Sequence, residues 1–274
     1  EEQLATTKEH ATWGLGEWAM SAHANAMFEL ALLEMLEGRL ATAQRVAEQS
    51  IAVARGVGDR EGHVAGLVVL SVLAFHAGEP EPGRAAVHRA VDLCEKLGSD
   101  WTGSDARLRL GCQTLLEGDG RGAVALLEAV LAEQGARVPL VGLFAPIHLA
   151  EALRRAGDTA RALATIESAH VRLCATGARP MIVESGIVLA RVVRDAAGVT
   201  AVDRVAAVLD EVDAVIAETG ARLFTPFVLE ERAALARLRG DEETRARLLR
   251  EAHASFAAMG ATGHVRRLAR QIGA

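Results

Sequence analysis

A glycine returns along this chain on a nearly constant beat. Gly38, Gly78, Gly118, Gly157, Gly198 and Gly240 stand 40, 40, 39, 41 and 42 residues apart, and Gly58, Gly98, Gly135, Gly177, Gly220 and Gly260 follow on the same beat. Between these glycines the chain reads as helix. The spacing therefore predicts an array of helix hairpins, and a period near 40 residues indicates a solenoid in which each unit packs on its neighbours only.

Composition agrees with helix throughout. Alanine, leucine, arginine and glutamate dominate, all strong helix formers. Aromatic residues make up 3% and tyrosine is absent, too few for a β-sandwich or barrel of 274 residues. The net charge of −6 argues against nucleic acid binding over the whole chain. No apolar run is long enough for a membrane span, and no basic-then-apolar leader opens the chain. It starts Glu1-Glu2-Gln3 without methionine, so a fragment of something longer is expected. Cys94, Cys112 and Cys174 are odd in number and form no CxxC. They predict no disulfide framework, a reducing cytoplasm and three buried small hydrophobes.

The beat carries a pattern of side-chain sizes. Eight residues before the first four turns stand Leu30, Leu70, Leu110 and Leu149; seven before stand Ala31, Ser71, Gly111 and Ala150. Five after come Ala43, Gly83, Ala123 and Ala162; twelve after come Ser50, Ala90, Val130 and Ala169. Small residues at matching heights let two antiparallel helices approach closely across a short turn. The fifth and sixth units depart. Ala190-Arg191 and Arg232-Ala233 replace the leucine-small pair, and Asp203 and Arg245 replace the alanine. These two hairpins are expected to shift register by a residue or pack more loosely.

This pattern resembles the tetratricopeptide repeat, lengthened from its usual period of about 34 residues. Longer repeats of this kind look like the C-terminal sensor region of large bacterial ATP-binding LuxR-type regulators of the maltose-activator type, or of nucleotide-cyclase-linked regulators. The stretch from Leu249 to Ala261, with Leu268-Ala269-Arg270, is the most family-like segment. The resemblance implies an all-α fold, a right-handed superhelix of about six tetratricopeptide-like helix hairpins with a C-terminal capping helix. The layout expected is a lead-in over 1–16, the repeat array over 17–264 and the cap over 265–274. Neither a P-loop GxxxxGK[ST] nor a recognition-helix segment after the array occurs in the sequence.

In such arrays the first helix of each hairpin lines the concave surface. Residues ten, six and three before each turn share that helix face. They are Phe28, Leu32 and Met35 in the first unit, Val68, Val72 and Phe75 in the second, and Leu108, Cys112 and Leu115 in the third. The fourth unit turns polar with Glu151 and Arg154. The expected inner surface is thus apolar at its amino-terminal half, with Glu151 and Arg154 as polar anchors. It is either an open binding groove or, if the superhelix closes on itself, ordinary core.

Other motifs resolve to local structure. Gly118-Asp119-Gly120-Arg121-Gly122 follows no strand and reads as a hairpin loop, not a phosphate cradle. Asp241 reads as an N-cap. His23 and His63 share a repeat position but make a poor metal site alone. Of Trp13, Trp18 and Trp101, the last two stand at the starts of first helices and read as core or staple residues. The arginines from Arg237 to Arg270 read as a solvated terminal cap. No enclosed carboxylate pair or nucleophile stands out. The expectation is a non-enzymatic module of a bacterial transcriptional or signalling regulator, without cofactor or metal. It would bind a protein segment or small-molecule effector in the concave groove, with self-association as a further expectation and no membrane or nucleic-acid partner. The alternative is a stand-alone scaffold for protein assembly.

Overall fold

The structure is a computed structural model that describes residues 22–273, apart from positions 99 and 136. The lead-in expected over 1–16, with Trp13 and Trp18, lies outside the described residues, as does the side chain of Trp101. The described residues are helical and contain no strand. Thirteen α-helices follow one another: α1 (Ala22–Leu36), α2 (Leu40–Gly56), α3 (Arg60–Ala77), α4 (Pro80–Leu97), α5 (Asp100–Leu116), α6 (Gly120–Gln134), α7 (Pro139–Ala156), α8 (Thr159–Thr176), α9 (Arg179–Ala197), α10 (Val202–Thr219), α11 (Thr225–Leu238), α12 (Glu242–Met259) and α13 (Thr262–Ile272). Each helix packs on the next, and α1, α3, α5, α7, α9 and α11 also pack on one another in succession. The result is an all-α repeat superhelix with the odd-numbered helices inside. The last helix, α13, begins at Thr262, three residues ahead of the expected 265.

Two devices stop and restart the helices. Eleven of the twelve periodic glycines have positive φ, as at Gly157 with φ 88°, where a side chain would strain the backbone. At Gly58, Gly118, Gly157 and Gly240 an aspartate follows at once, and each caps the next helix. Asp59, Asp119, Asp158 and Asp241 accept hydrogen bonds from the backbone N–H of Gly62, Gly122, Arg161 and Thr244 at 2.7–3.2 Å. Where no aspartate stands, proline opens α4, α7, α9 and α11, where a missing N–H costs nothing. Gly135 is the exception among the turns, with φ −59° in the right-handed region.

The small residues do what their spacing predicts in the first four hairpins. Ala31, Ala43, Ser50, Ala90, Ala123, Ala150, Ala162 and Ala169 are at most 1% exposed. A Cβ on Gly111 would meet the Leu127 side chain at 2.8 Å, so α5 lies against α6 as closely as a bare glycine allows. The fifth hairpin shifts register. A 3₁₀ turn at Gly198–Ala201 delays α10, and its buried stripe becomes Val205, Leu209 and Val212. In α8 the corresponding stripe is Ala162, Ile166, Ala169 and Leu173, so the offset from the turn grows by two residues. The sixth hairpin keeps the register with Leu249, Ala252 and Phe256; Arg245 stays outside, paired to Glu242 at 2.8 Å. Cys94 and Cys112 are buried as expected, whereas Cys174 is exposed in the last turn of α8, one residue beyond the buried Leu173.

The superhelix meets its own beginning. The 3₁₀ turn Arg222–Phe224 packs on α1, and α13 packs on α3. Gly263 lies so close to the Gly78 carbonyl that a Cβ there would collide with it. The Thr262 hydroxyl hydrogen-bonds Glu79, 183 residues away. His264 rests against Gly78 and stacks on Phe256, with ring centroids 4.5 Å apart, and Met259 covers Gly38. The inner helices therefore surround a closed interior.

Candidate functional site

Among the described residues, two cavities open on that interior. The first, of about 470 Å³, lies among α1, α3, α5, α7 and α9. Phe28, Leu32, Met35, Val68 and Val72 line it, together with Phe144, Met181 and Phe224. Arg109 donates to Asp105 at 3.1 Å and lies 5.2 Å from the Phe144 ring centroid; its charge is held by Asp105 and Glu184. The second cavity, of about 450 Å³, lies towards the carboxyl-terminal half. Both volumes fall within the range of small-ligand pockets.

Arginines and carboxylates dominate the second cavity. Glu151 accepts from Arg154 at two contacts of 2.8 Å and from Arg155 at 3.0 Å. Burial pushes the Glu151 carboxyl up, but the Arg154 hydrogen bonds and the charges of Arg191, Arg154 and Arg155 outweigh it and bring it to about 2. Arg191 donates to Glu231 at 2.7 Å, and Arg194 donates to the second oxygen of the same carboxylate. Arg267 from α13 grips Glu230 with two bonds at 2.6 and 2.7 Å. The two-point grips of Arg154 on Glu151 and of Arg267 on Glu230 are strong because the guanidinium geometry matches the carboxylate.

His76, Glu184 and Phe224 line both cavities and so form the partition between them. His76 sits edge-on to Phe75 and Phe224, with ring centroids at 5.4 and 5.8 Å, and Phe75 meets His148 at 5.6 Å. Burial, helped by the Arg109 charge, brings His76 and His148 down to about 3, so both rings are neutral. Burial pushes the Glu184 carboxyl up to about 7 against the pull of Arg109 and Arg191. His148 Nε2 lies 3.8 Å from Glu184, and that nitrogen is buried without a hydrogen-bond partner.

The residues expected on the concave face divide as follows. Phe28, Leu32, Met35, Val68 and Val72 line the first cavity. Phe75 and Leu115, expected among the same apolar contacts, line the second beside Glu151 and Arg154. Leu108 and Cys112 line neither; they are 0% and 3% exposed and belong to the core between helices. Their helix face points at neighbouring helices because the inner helices pack on one another. Counting back from each turn misses His76, His148, Glu184 and Phe224. A signal for three of them is present: each is a lone titratable residue inside an apolar helical run, as in Pro146-Ile147-His148-Leu149-Ala150. Phe224 carries no such mark, since its place depends on the superhelix turning back to α1.

No protein-family model and no curated protein matches the chain. Solved structures do. A Rap protein described as complexed with competence and sporulation factor superposes with a TM-score of 0.64 at 13% identity, covering 98% of this chain and 80% of that one. Two structures of a putative kinesin light chain from Podospora anserina, with nearly identical TPR-like repeats, match 71% of this chain and 95% of theirs at 21% identity, with TM-scores of 0.47 and 0.45. At 13% identity the likeness to the Rap protein is one of architecture alone, and it agrees with the all-α repeat superhelix described above.

Proposed function

We propose that this chain is a non-enzymatic sensor module that takes a short peptide or small effector inside the closed superhelix. The observation that carries this reading is the pair of ligand-sized cavities meeting at one partition, inside a ring made by α13 docking on α3. The structural neighbour solved with competence and sporulation factor supports a bound effector on such a fold. A ligand spanning the partition would touch helices from both halves of the array. It would favour the closed ring over an open superhelix by its differential contacts, and a linked module would read the change in curvature. A bacterial signalling or transcription regulator in the cytoplasm is the setting that suits this mechanism. Among the described residues no helix is long and apolar enough to cross a membrane.

The test is a thermal-shift screen of peptides and metabolites, paired with uptake of a fluorescent apolar dye. A ligand at a hundredfold its dissociation constant raises stability by about 2.7 kcal/mol. Saturable dye uptake of one molecule per chain, displaced by a stabilising compound, supports the reading. A chain that takes up no dye and that no compound stabilises contradicts it.

A further inference from the structure

The carboxylates of the interior are not equivalent. Glu151, Glu230 and Glu231 are each held by arginine nitrogens, at 2.8–3.0 Å for Glu151, 2.6–2.7 Å for Glu230 and 2.7 Å from Arg191 for Glu231. Asp105 is held by Arg109 at 3.1 Å. Glu184, at the partition, has no hydrogen-bond donor among the described residues. His148 Nε2 lies 3.8 Å from it, too far to bond. That nitrogen is itself buried and unpartnered. A carboxylate without a protein donor and a buried, unpartnered nitrogen thus face each other across a gap that one more atom would close. A nitrogen about 2.9 Å from each fits over a base of 3.8 Å.

We propose that the effector carries a protonated amine, seated between the Glu184 carboxylate and His148 Nε2, and an apolar group that fills the cavity lined by Leu32, Met35, Val72 and Met181. This deepens, and rests on, the reading of the interior as a ligand site. A cation is favoured over a neutral group because Arg109 and Arg191 act on Glu184 through their charge alone, without a hydrogen bond, and a protonated amine supplies both. His148 cannot act as that cation, since burial keeps its ring neutral; the neutral ring offers Nε2 as an acceptor when the proton is on Nδ1. Arg109 and Arg191 cannot satisfy Glu184 either, being committed to Asp105 and Glu231. An anionic head group would meet the Glu184 charge.

Three probes with one hydrocarbon chain separate the possibilities: hexylamine, hexan-1-ol and hexanoate, titrated calorimetrically into the whole chain at pH 7. The amine is expected to bind about tenfold more tightly than the alcohol, with hexanoate weakest. In Glu184→Gln that preference should fall to parity while hexan-1-ol binding persists, which also reports that the variant is folded. Equal binding of amine and alcohol, a preference for hexanoate, or an amine preference that survives Glu184→Gln overturns the amine site and leaves the cavity reading standing. Failure of all three probes to bind overturns both.

Discussion

Glu184 ties the chemistry of the interior to its stability. Its carboxyl is raised from 4.5 to about 7 because burial outweighs two nearby arginines. A raised carboxyl means that the folded chain holds a proton that the unfolded chain releases. The associated stability is therefore present below about pH 4.5 and lost as pH rises through 7. Glu184→Gln is thus predicted to stabilise the unliganded chain more at pH 8 than at pH 5, by a difference of about 2–3 kcal/mol in urea unfolding. The histidines act in the opposite sense. His76, His148 and His264 fall from 6.5 to about 3, chiefly through burial, so the unfolded chain takes up protons that the folded chain refuses. Their contribution is complete above pH 6.5 and is lost as pH falls. Three histidines outweigh one glutamate, so the free energy of unfolding should decline between pH 6.5 and 5; a rise over that interval would contradict the neutral, buried rings. Glu151→Gln offers a contrast. It leaves Arg154 and Arg155 without their shared carboxylate and is expected to cost about 3 kcal/mol at pH 7.

At the scale of helices and hairpins, close approach of small residues sets the packing. Gly111→Leu drives a side chain into Leu127 and should cost about 1–3 kcal/mol through overpacking. Gly157→Ala meets no atom within 4 Å, yet φ there is 88°. It should still cost about 1–2 kcal/mol, from backbone strain alone. Thermal or urea unfolding of the two variants distinguishes the causes, because Gly111→Ala should recover part of the loss and no L-residue should recover it at position 157. The first four hairpins were legible because large and small residues stand at fixed distances from the turn, and helix contacts depend on those distances. The fifth was legible only in part: Asp203 in place of the alanine marks a departure, but nothing in it announces that a 3₁₀ turn at Gly198–Ala201 moves the buried stripe by two residues to Val205 and Leu209. Gly135 shows the same limit, since its place in the beat says nothing of its right-handed φ.

For the whole molecule, the decisive fact is that the array returns to its start within six hairpins. Closure brings Phe224 to His76 and His264 to Gly78, and so turns two stretches of concave surface into cavities. It was not legible, because superhelix curvature is the sum of small rotations between inner helices, and no local pattern encodes that sum. The apolar half of the inner surface could be read by counting; the partition of His76, Glu184 and Phe224 could not, since its members come from parts of the chain that meet only through closure. Gly263→Val, placed against the Gly78 carbonyl, should break the contact. Hydrogen exchange should then rise in α13 and at the Gly78 turn while α5 to α8 stay protected. The most direct measurement is the distance between spin labels at exposed Glu81 and Arg266, with Cys174→Ser and the buried Cys94 and Cys112 left in place. Closure predicts one narrow, short distance for the native background and a longer, broader one with Gly263→Val. A long, broad distribution in the native background would contradict the closed ring and the enclosed site with it.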